Sequence, residues 1–206
     1  MEYKVNIAGV DYDMSDLFSV TITQPLFEQF SVGNACSAEL KMQFIPKSTI
    51  TKMAKIIPYA RENNTSSWMQ LGVFYTDTRS MNGGILEITA YDEMLKAEVI
   101  WEPDQSLLFP MTMKEAVSEI SRLMGISVDS RTSLSTTYSV DYPANDYTYR
   151  DVLRFIAAAH AGNWIITASG KLLLVPLFGS MPPETNYLVS EDGNAITFGG
   201  VRITIG

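Results

Sequence analysis

Residues 2–9 alternate, Tyr3, Val5 and Ile7 against Glu2, Lys4 and Asn6, the period of two that marks a half-buried strand, and Gly9-Val10-Asp11 closes it with a turn. From Asp16 the alternation resumes with Phe18, Val20 and Ile22 on one face, and Pro25 interrupts it because proline cannot donate to a ladder. After Gly33-Asn34 comes the longest alternation in the chain, Cys36, Ala38, Leu40, Met42 and Phe44, which stops at Pro46. Residues 47–67 break the rhythm. Ile50, Met53, Ala54, Ile56 and Ile57 predict a short helix or irregular crossing ended by Pro58, and residues 61–67 (RENNTSS) are polar turn material. Two further strand-like runs, 68–77 and 85–91, are separated by Ser80-Met81-Asn82-Gly83-Gly84, whose paired glycines suit a hairpin or bulged return. Five strands by residue 91 predict a small barrel or curled sheet, since an open sheet of this size leaves its edges exposed.

Beyond residue 100 the period changes. Trp101-Glu102-Pro103-Asp104 reads as a connector, and the domain boundary is placed there. Thr112-Met113-Lys114-Glu115 has the form of a capping box and opens a helix with Ala116, Val117, Ile120, Leu123 and Met124 on one face and Gly125 at its stop. Thr148 and Asp151 form a second box, with Asp in place of the usual Glu or Gln. Val152, Leu153, Phe155, Ile156 and Ala159 follow at helical spacing as the apolar stripe, with Arg150, Arg154 and the small Ala157, Ala158 and Ala161 on the remainder. Gly162 is expected to end this helix in the left-handed conformation. The runs 164–167 and 171–175 around Ala168-Ser169-Gly170 then predict a hairpin with positive φ at Gly170. Residues 126–128 and 164–166 follow their helices in the same way, so two helix-then-strand units are expected. Between them, 130–146 is a polar excursion with Tyr138-Ser139-Val140 as a possible edge strand. The chain closes with Tyr187-Leu188-Val189, a turn at 191–194 and the alternating Ile196, Phe198, Val201, Ile203 and Ile205. The fold class that results is β-rich α+β: a barrel-like domain over 1–100, helix-hairpin units over 101–180, and a C-terminal β segment over 181–206. That last segment either completes a second barrel or is truncated, its strand partner lying in a missing segment or another chain.

Composition narrows the chemistry. The 206 residues are 46% hydrophobic and 18% charged, enough for a core without staples. Fifteen basic against 23 acidic residues give −8, which argues against a general nucleic-acid binder because no basic surplus is available to displace phosphate counterions. The single Cys36 excludes an intrachain disulfide framework and reads as a small buried thiol. With His160 as the only histidine, a zinc site of nitrogen and sulfur ligands is excluded, and at a helix end this imidazole reads as a cap or a solvated group. No glycine-rich phosphate loop follows any strand, so no nucleotide cofactor is expected. Asp11, Asp13, Asp16, Glu184, Glu191 and Asp192 are the acid candidates, each in a turn where carboxylates bind the local backbone. The start lacks a signal-peptide pattern and no run of about 18 apolar residues occurs, so a soluble chain without membrane insertion is expected. Tyr138, Tyr142, Tyr147 and Tyr149 cluster in or beside one polar loop, as in a carbohydrate platform, a protein interface or the roof of a core. Phe27 and Phe30, in the excursion after Pro25, read as a subunit contact.

Residues 88–95 (ITAYDEML), 148–157 (TYRDVLRFIA) and 162–172 (GNWIITASGKL), in that order and spacing, resemble the baseplate hub proteins of phage tails and related prophage particles. The resemblance covers residues 84–175, and Tyr91, Asp92, Thr148, Asp151, Gly162 and Gly170 carry it. It implies a non-enzymatic structural protein without cofactor. Three copies would form a ring of pseudo-sixfold barrels joining the tail tube to a spike or tail fibre, with DNA passing the channel without specific binding. The expected location is the virion or a tail-like particle assembled in the bacterial cytoplasm, with Phe27, Phe30, Tyr138, Tyr142 and Tyr147 as candidate interface residues. Two alternatives stay open. One is a β-rich adhesin holding glycan or cell wall through the loop 130–149, and the other is a glycosidase acting through acidic residues.

Overall fold

The computed structural model describes residues 1–26, 31–102, 108–142 and 146–177, and the backbone of two short strands near the end. In chain order the elements are β1 (Glu2–Ile7), β2 (Val10–Asp13), β3 (Leu17–Thr23), β4 (Asn34–Ala35), β5 (Glu39–Phe44), β6 (Lys55–Arg61), β7 (Met69–Gln70), β8 (Phe74–Asn82) and β9 (Ile85–Asp92). A 3-10 helix (Glu93–Ala97) then leads to β10 (Met111–Thr112), α1 (Met113–Met124), β11 (Ser139–Val140), α2 (Tyr149–Ala159), β12 (Gly162–Ile166) and β13 (Leu172–Pro176), with β14 (Thr197–Phe198) and β15 (Val201–Arg202) last.

All strands from β1 to β9 except β4 join one antiparallel sheet, ordered β2-β1-β6-β8-β9-β5-β3, with β7 added to β6 beside β8. The period of two in the sequence is the cause. Val5 and Ile7, then Leu40, Met42 and Phe44, then Leu86, Ile88 and Ala90 all fall on one face and are buried together with Tyr12 and Phe74. The sheet curls around this core, but among the described residues its outer strands β2 and β3 do not pair, so the expected closed barrel is not formed. Two local expectations also change. Residues 55–61 are a strand, not a helix, because Ile56, Pro58 and Ala60 alternate inward. Pro58 is tolerated where β6 passes from β8 to β7 as its neighbour, and its carbonyl still accepts from Leu71 N–H at 2.9 Å. In β3 a bulge between Leu17 and Ser19 makes Phe18 the extra residue, so Leu17, Val20 and Ile22, rather than Phe18, Val20 and Ile22, stand opposite Phe44, Met42 and Leu40.

The second core is helical. Both capping boxes form: Thr112 with Glu115 on α1, Thr148 with Asp151 on α2, each hydroxyl accepting from the backbone three residues on while the acid accepts from the cap N–H. Gly125 ends α1 in the left-handed conformation at φ 69°. At the end of α2 that role falls to Ala161 (φ 49°), while Gly162 opens β12 with ordinary φ. Glycine is needed at 162 for another reason: a Cβ there would sit 2.7 Å from the Val175 carbonyl oxygen across the β12–β13 hairpin. The inward stripe of α2 is Tyr149, Val152, Leu153, Ile156 and Ala157, whereas Phe155 and Ala159 face solvent. Trp164 is buried under the helix and donates its indole N–H to Leu153 O at 2.8 Å. Trp101, expected in a connector, is among the largest buried side chains of this core.

The two cores are stitched by β4, which leaves the first sheet's run of sequence to pair in parallel with β12. The strand expected after α1 is reduced to a bridge, Val128 to Leu172, on the far side of β13. Segment 181–206 lies outside the described residues apart from the ladder of β14 with β15.

Two substitutions test this account. Gly162→Ala should lower stability by about 1–3 kcal/mol in urea unfolding through overpacking against the Val175 carbonyl, and a change near zero would mean the hairpin has room to part. Asp151→Ala should cost about 1 kcal/mol by loss of half the capping box, read in the same assay.

Candidate functional site

The end of β9 aims two neighbouring side chains at opposite faces of the sheet. Tyr91 lies on the outer face and its hydroxyl donates to Glu39 Oε2 at 3.3 Å. Asp92 turns inward, 3% exposed, where its Oδ1 accepts from Ser37 Oγ (2.9 Å) and Met94 N–H (3.0 Å) and its Oδ2 from Ala38 N–H (2.7 Å). This one carboxylate joins the strand end to the chain leaving β4 and caps the 3-10 helix. Burial pushes its pKa up from 3.8 to about 6, against the pull of the three donors and of the Arg150 guanidinium. At neutral pH it is ionised. Arg150, which the sequence pattern leaves on the indifferent side of α2, reaches into the junction from the helix. It donates to Ala35 O at 2.7 Å and Met94 O at 3.3 Å, and its Nε lies 2.6 Å from Glu98 Oε1, off the direction of the N–H.

A second group of contacts seats the β12–β13 hairpin on the first sheet. Glu93 is buried with Tyr75 (hydroxyl to Oε1, 3.1 Å) and Lys96 (3.3 Å), and its Oε2 stands 2.8 Å from where a Cβ on Gly170 would lie. Gly170, at φ 79°, thus serves both the turn and this close approach. Gln70 donates to Ala168 O and Gln24 to Ile166 O. Asn163, fully buried, accepts from Asn34 N–H at 2.8 Å and donates to Leu26 O at 3.0 Å. None of these amides stands out in the sequence, because an Asn or Gln bonded to a distant backbone has no periodic signature.

The candidate interface residues do not form one platform. Phe27 and Phe30 lie outside the described residues. Tyr138 packs edge-on to His160 (5.2 Å), Tyr147 packs edge-on to Phe155 (5.2 Å), and Tyr142 stands 81% exposed. Tyr149 is buried in the helical core. His160 Nε2 accepts from Ser135 N–H at 2.9 Å, which leaves Nδ1 to donate to Ile156 O at 2.8 Å. Phe155, 55% exposed beside Tyr147, is the surface aromatic that the helical stripe misplaced.

Glu184, Glu191 and Asp192 lie outside the described residues, and the acids of the first turns serve turn chemistry. Asp11 accepts from Lys4 and Asn6, which hold its carboxyl below the usual range, Asp13 accepts from Ser15, and Asp16 pairs with Lys47. Among the described residues no group of three or more His, Cys, Asp or Glu could hold a metal ion, and no helix is long and apolar enough to cross a membrane.

No protein-family model and no curated protein sequence matches the chain. Solved structures do. The 43 kDa tail protein of prophage MuSo2 from Shewanella oneidensis superposes with a TM-score of 0.61 at 10% identity, over 95% of this chain and 61% of that one. The fold is that of phage and prophage tail proteins. A tail protein from Neisseria meningitidis MC58 gives a TM-score of 0.56 at 11% identity, covering 84% of this chain and 49% of that one. Prophage tail protein gp18 from Listeria monocytogenes EGD-e gives 0.55 at 12% identity, covering 93% and 55%. The chain thus spans about half to three-fifths of the length of these tail proteins.

Asp92 makes the junction pH-sensitive in a definite direction. Its folded-state pKa lies above the unfolded value, so between about pH 4 and 6 the folded chain holds a proton that the unfolded chain has released. Its contribution is therefore fully present below pH 3.8 and is lost as pH rises through 6. Relative to Asp92→Asn, the parent should gain up to roughly 3 kcal/mol as pH falls from about 7 to about 4, measured by urea unfolding at both values. A gap between the two that is constant with pH would place this titration elsewhere.

Proposed function

We propose that this chain is a structural component of a phage or prophage tail and acts as a baseplate hub, three copies forming a ring that joins the tail tube to a spike or fibre and leaves a channel. The observation that carries the reading is the fold likeness to the Shewanella prophage tail protein over 95% of the chain. Other features support it. Among the described residues the surface keeps large apolar side chains, among them Met14, Phe18, Tyr142, Tyr147 and Phe155, which suit burial between subunits. Net charge of −8 suits a channel wall that passes DNA without holding it. Of the turn carboxylates, Asp11, Asp13 and Asp16 are engaged by neighbouring lysines, side chains and backbone, which supports a non-enzymatic role. In this reading Phe27, Phe30, Tyr142 and the Tyr147–Phe155 pair are subunit contacts, and the particle is the site of action.

Light scattering on a sizing column across a wide concentration range tests the proposal. The expected result is a concentration-dependent species near three times the 22.9 kDa chain mass, with a central hole in electron micrographs. A strict monomer at every concentration would count against a self-assembling ring.

A further inference from the structure

The two sides of β3 differ. One is laddered to β5; the other is free among the described residues. Val20 stands opposite Met42 and Ile22 opposite Leu40, so all four belong to the interior face, yet Met42 and Leu40 are fully buried while Val20 is 37% exposed. Across the gap Tyr3 shares the face of Val5 and Ile7, but it is 44% exposed where they are sealed. β2 pairs with β1 only from Lys4 to Ile7, so Glu2 and Tyr3 also have a free side. Between these two borders lies a cleft of about 440 Å³, lined by Tyr3, Val5, Leu17, Val20, Ile22 and Leu71 among others. Interior-facing apolar residues left open on both banks, with unpaired backbone beside each, are the geometry of a sheet that lacks one strand.

We propose that this gap is closed by the chain's own segment 196–205, folded at Gly199-Gly200 into the β14–β15 hairpin, with its 201–205 arm added as a strand along the free side of β3. Within each arm the sequence places an apolar residue at every second position, Ile196 and Phe198 before Gly199-Gly200 and Val201, Ile203 and Ile205 after it, and the register that pairs Phe198 with Val201 gives both arms the same apolar phase, as a hairpin with one face in a core requires. The ladder of β14 with β15 puts part of this segment in β backbone, and a lone two-stranded hairpin is marginal in water unless it lies on a sheet or helix. The cleft asks for an apolar occupant: its one charged lining residue, Lys4, is already paired with Asp11 at 3.0 Å. Reach is no obstacle. At about 3.3 Å per extended residue, the chain beyond Leu177 can cross a molecule whose expected radius of gyration is about 17 Å. Tethering to the same chain supplies an effective concentration in the roughly millimolar range, which favours this segment over the strand of a second copy.

The test is crosslinking in the full chain carrying Val20→Cys and Ile203→Cys, with the buried Cys36 left in place, using a short bismaleimide. Tyr3→Cys with Ile203→Cys supplies a second pair from the other bank. The expected product is an intrachain crosslink at monomer mass whose yield is independent of protein concentration. A product at twice that mass that grows with concentration would assign the cleft to a second copy and overturn the proposal. So would the absence of any crosslink while both thiols react with a monofunctional maleimide. Independently, Ile203→Asp with Ile205→Asp should raise the labelling rate of Val20→Cys about tenfold by unseating the strand. An unchanged rate overturns the proposal, and neither outcome depends on whether the chain forms a ring.

Discussion

The fold depends on one buried carboxylate. Asp92 gives each of its oxygens to donors from different parts of the chain, Ser37 and Ala38 on the exit from β4 and Met94 at the start of the 3-10 helix. An ionised group at this depth is tolerable only because those donors and the nearby Arg150 replace the lost water. The arrangement ties the last strand of the large sheet to the first residues of the helical core. Arg150 completes it from α2 by holding Ala35 O and Met94 O, two carbonyls that no ladder uses there. Two separate apolar cores are in this way joined by polar groups of fixed direction.

The same logic explains the parallel pairing of β4 with β12. A two-residue strand contributes little by itself, yet Asn163 secures it by accepting from Asn34 N–H while donating to Leu26 O. The hairpin is seated at its other end by Glu93 against Gly170 and by Gln70 on Ala168 O. Side-chain amides and carboxylates thus do at the junction what strand ladders do inside each sheet.

Among the described residues the large sheet is curved but open at β2 and β3. A closed barrel would have no edges to offer. Here, among the described residues, the free sides of β2 and β3, with the apolar surface near them, can each take a further strand. The surface aromatics are spread differently: Tyr138 is engaged with His160 and Tyr147 with Phe155, which argues for contacts made pairwise along a surface rather than for a flat sugar platform.

Whatever depends on local periodicity and local hydrogen bonding was legible in the sequence. The alternation through Leu40, Met42 and Phe44 specifies a strand and its buried face, and both threonine caps and the stop at Gly125 follow from side chains within a few residues of the backbone they satisfy. The β-rich α+β class follows from the same signals. Tertiary structure alone decided the rest. It made residues 55–61 a strand through Pro58, because a ladder partner on each side outweighs local helix propensity. It moved the left-handed residue from Gly162 to Ala161, because Gly162 was needed where Val175 comes close. It drew Arg150, Asn163 and Glu93 into the interior, whose partners lie far along the chain and leave no period to read. And it left the sheet open at β3, since closure depends on how far a curled sheet bends in space, a sum over every strand's twist that no single stretch of sequence encodes.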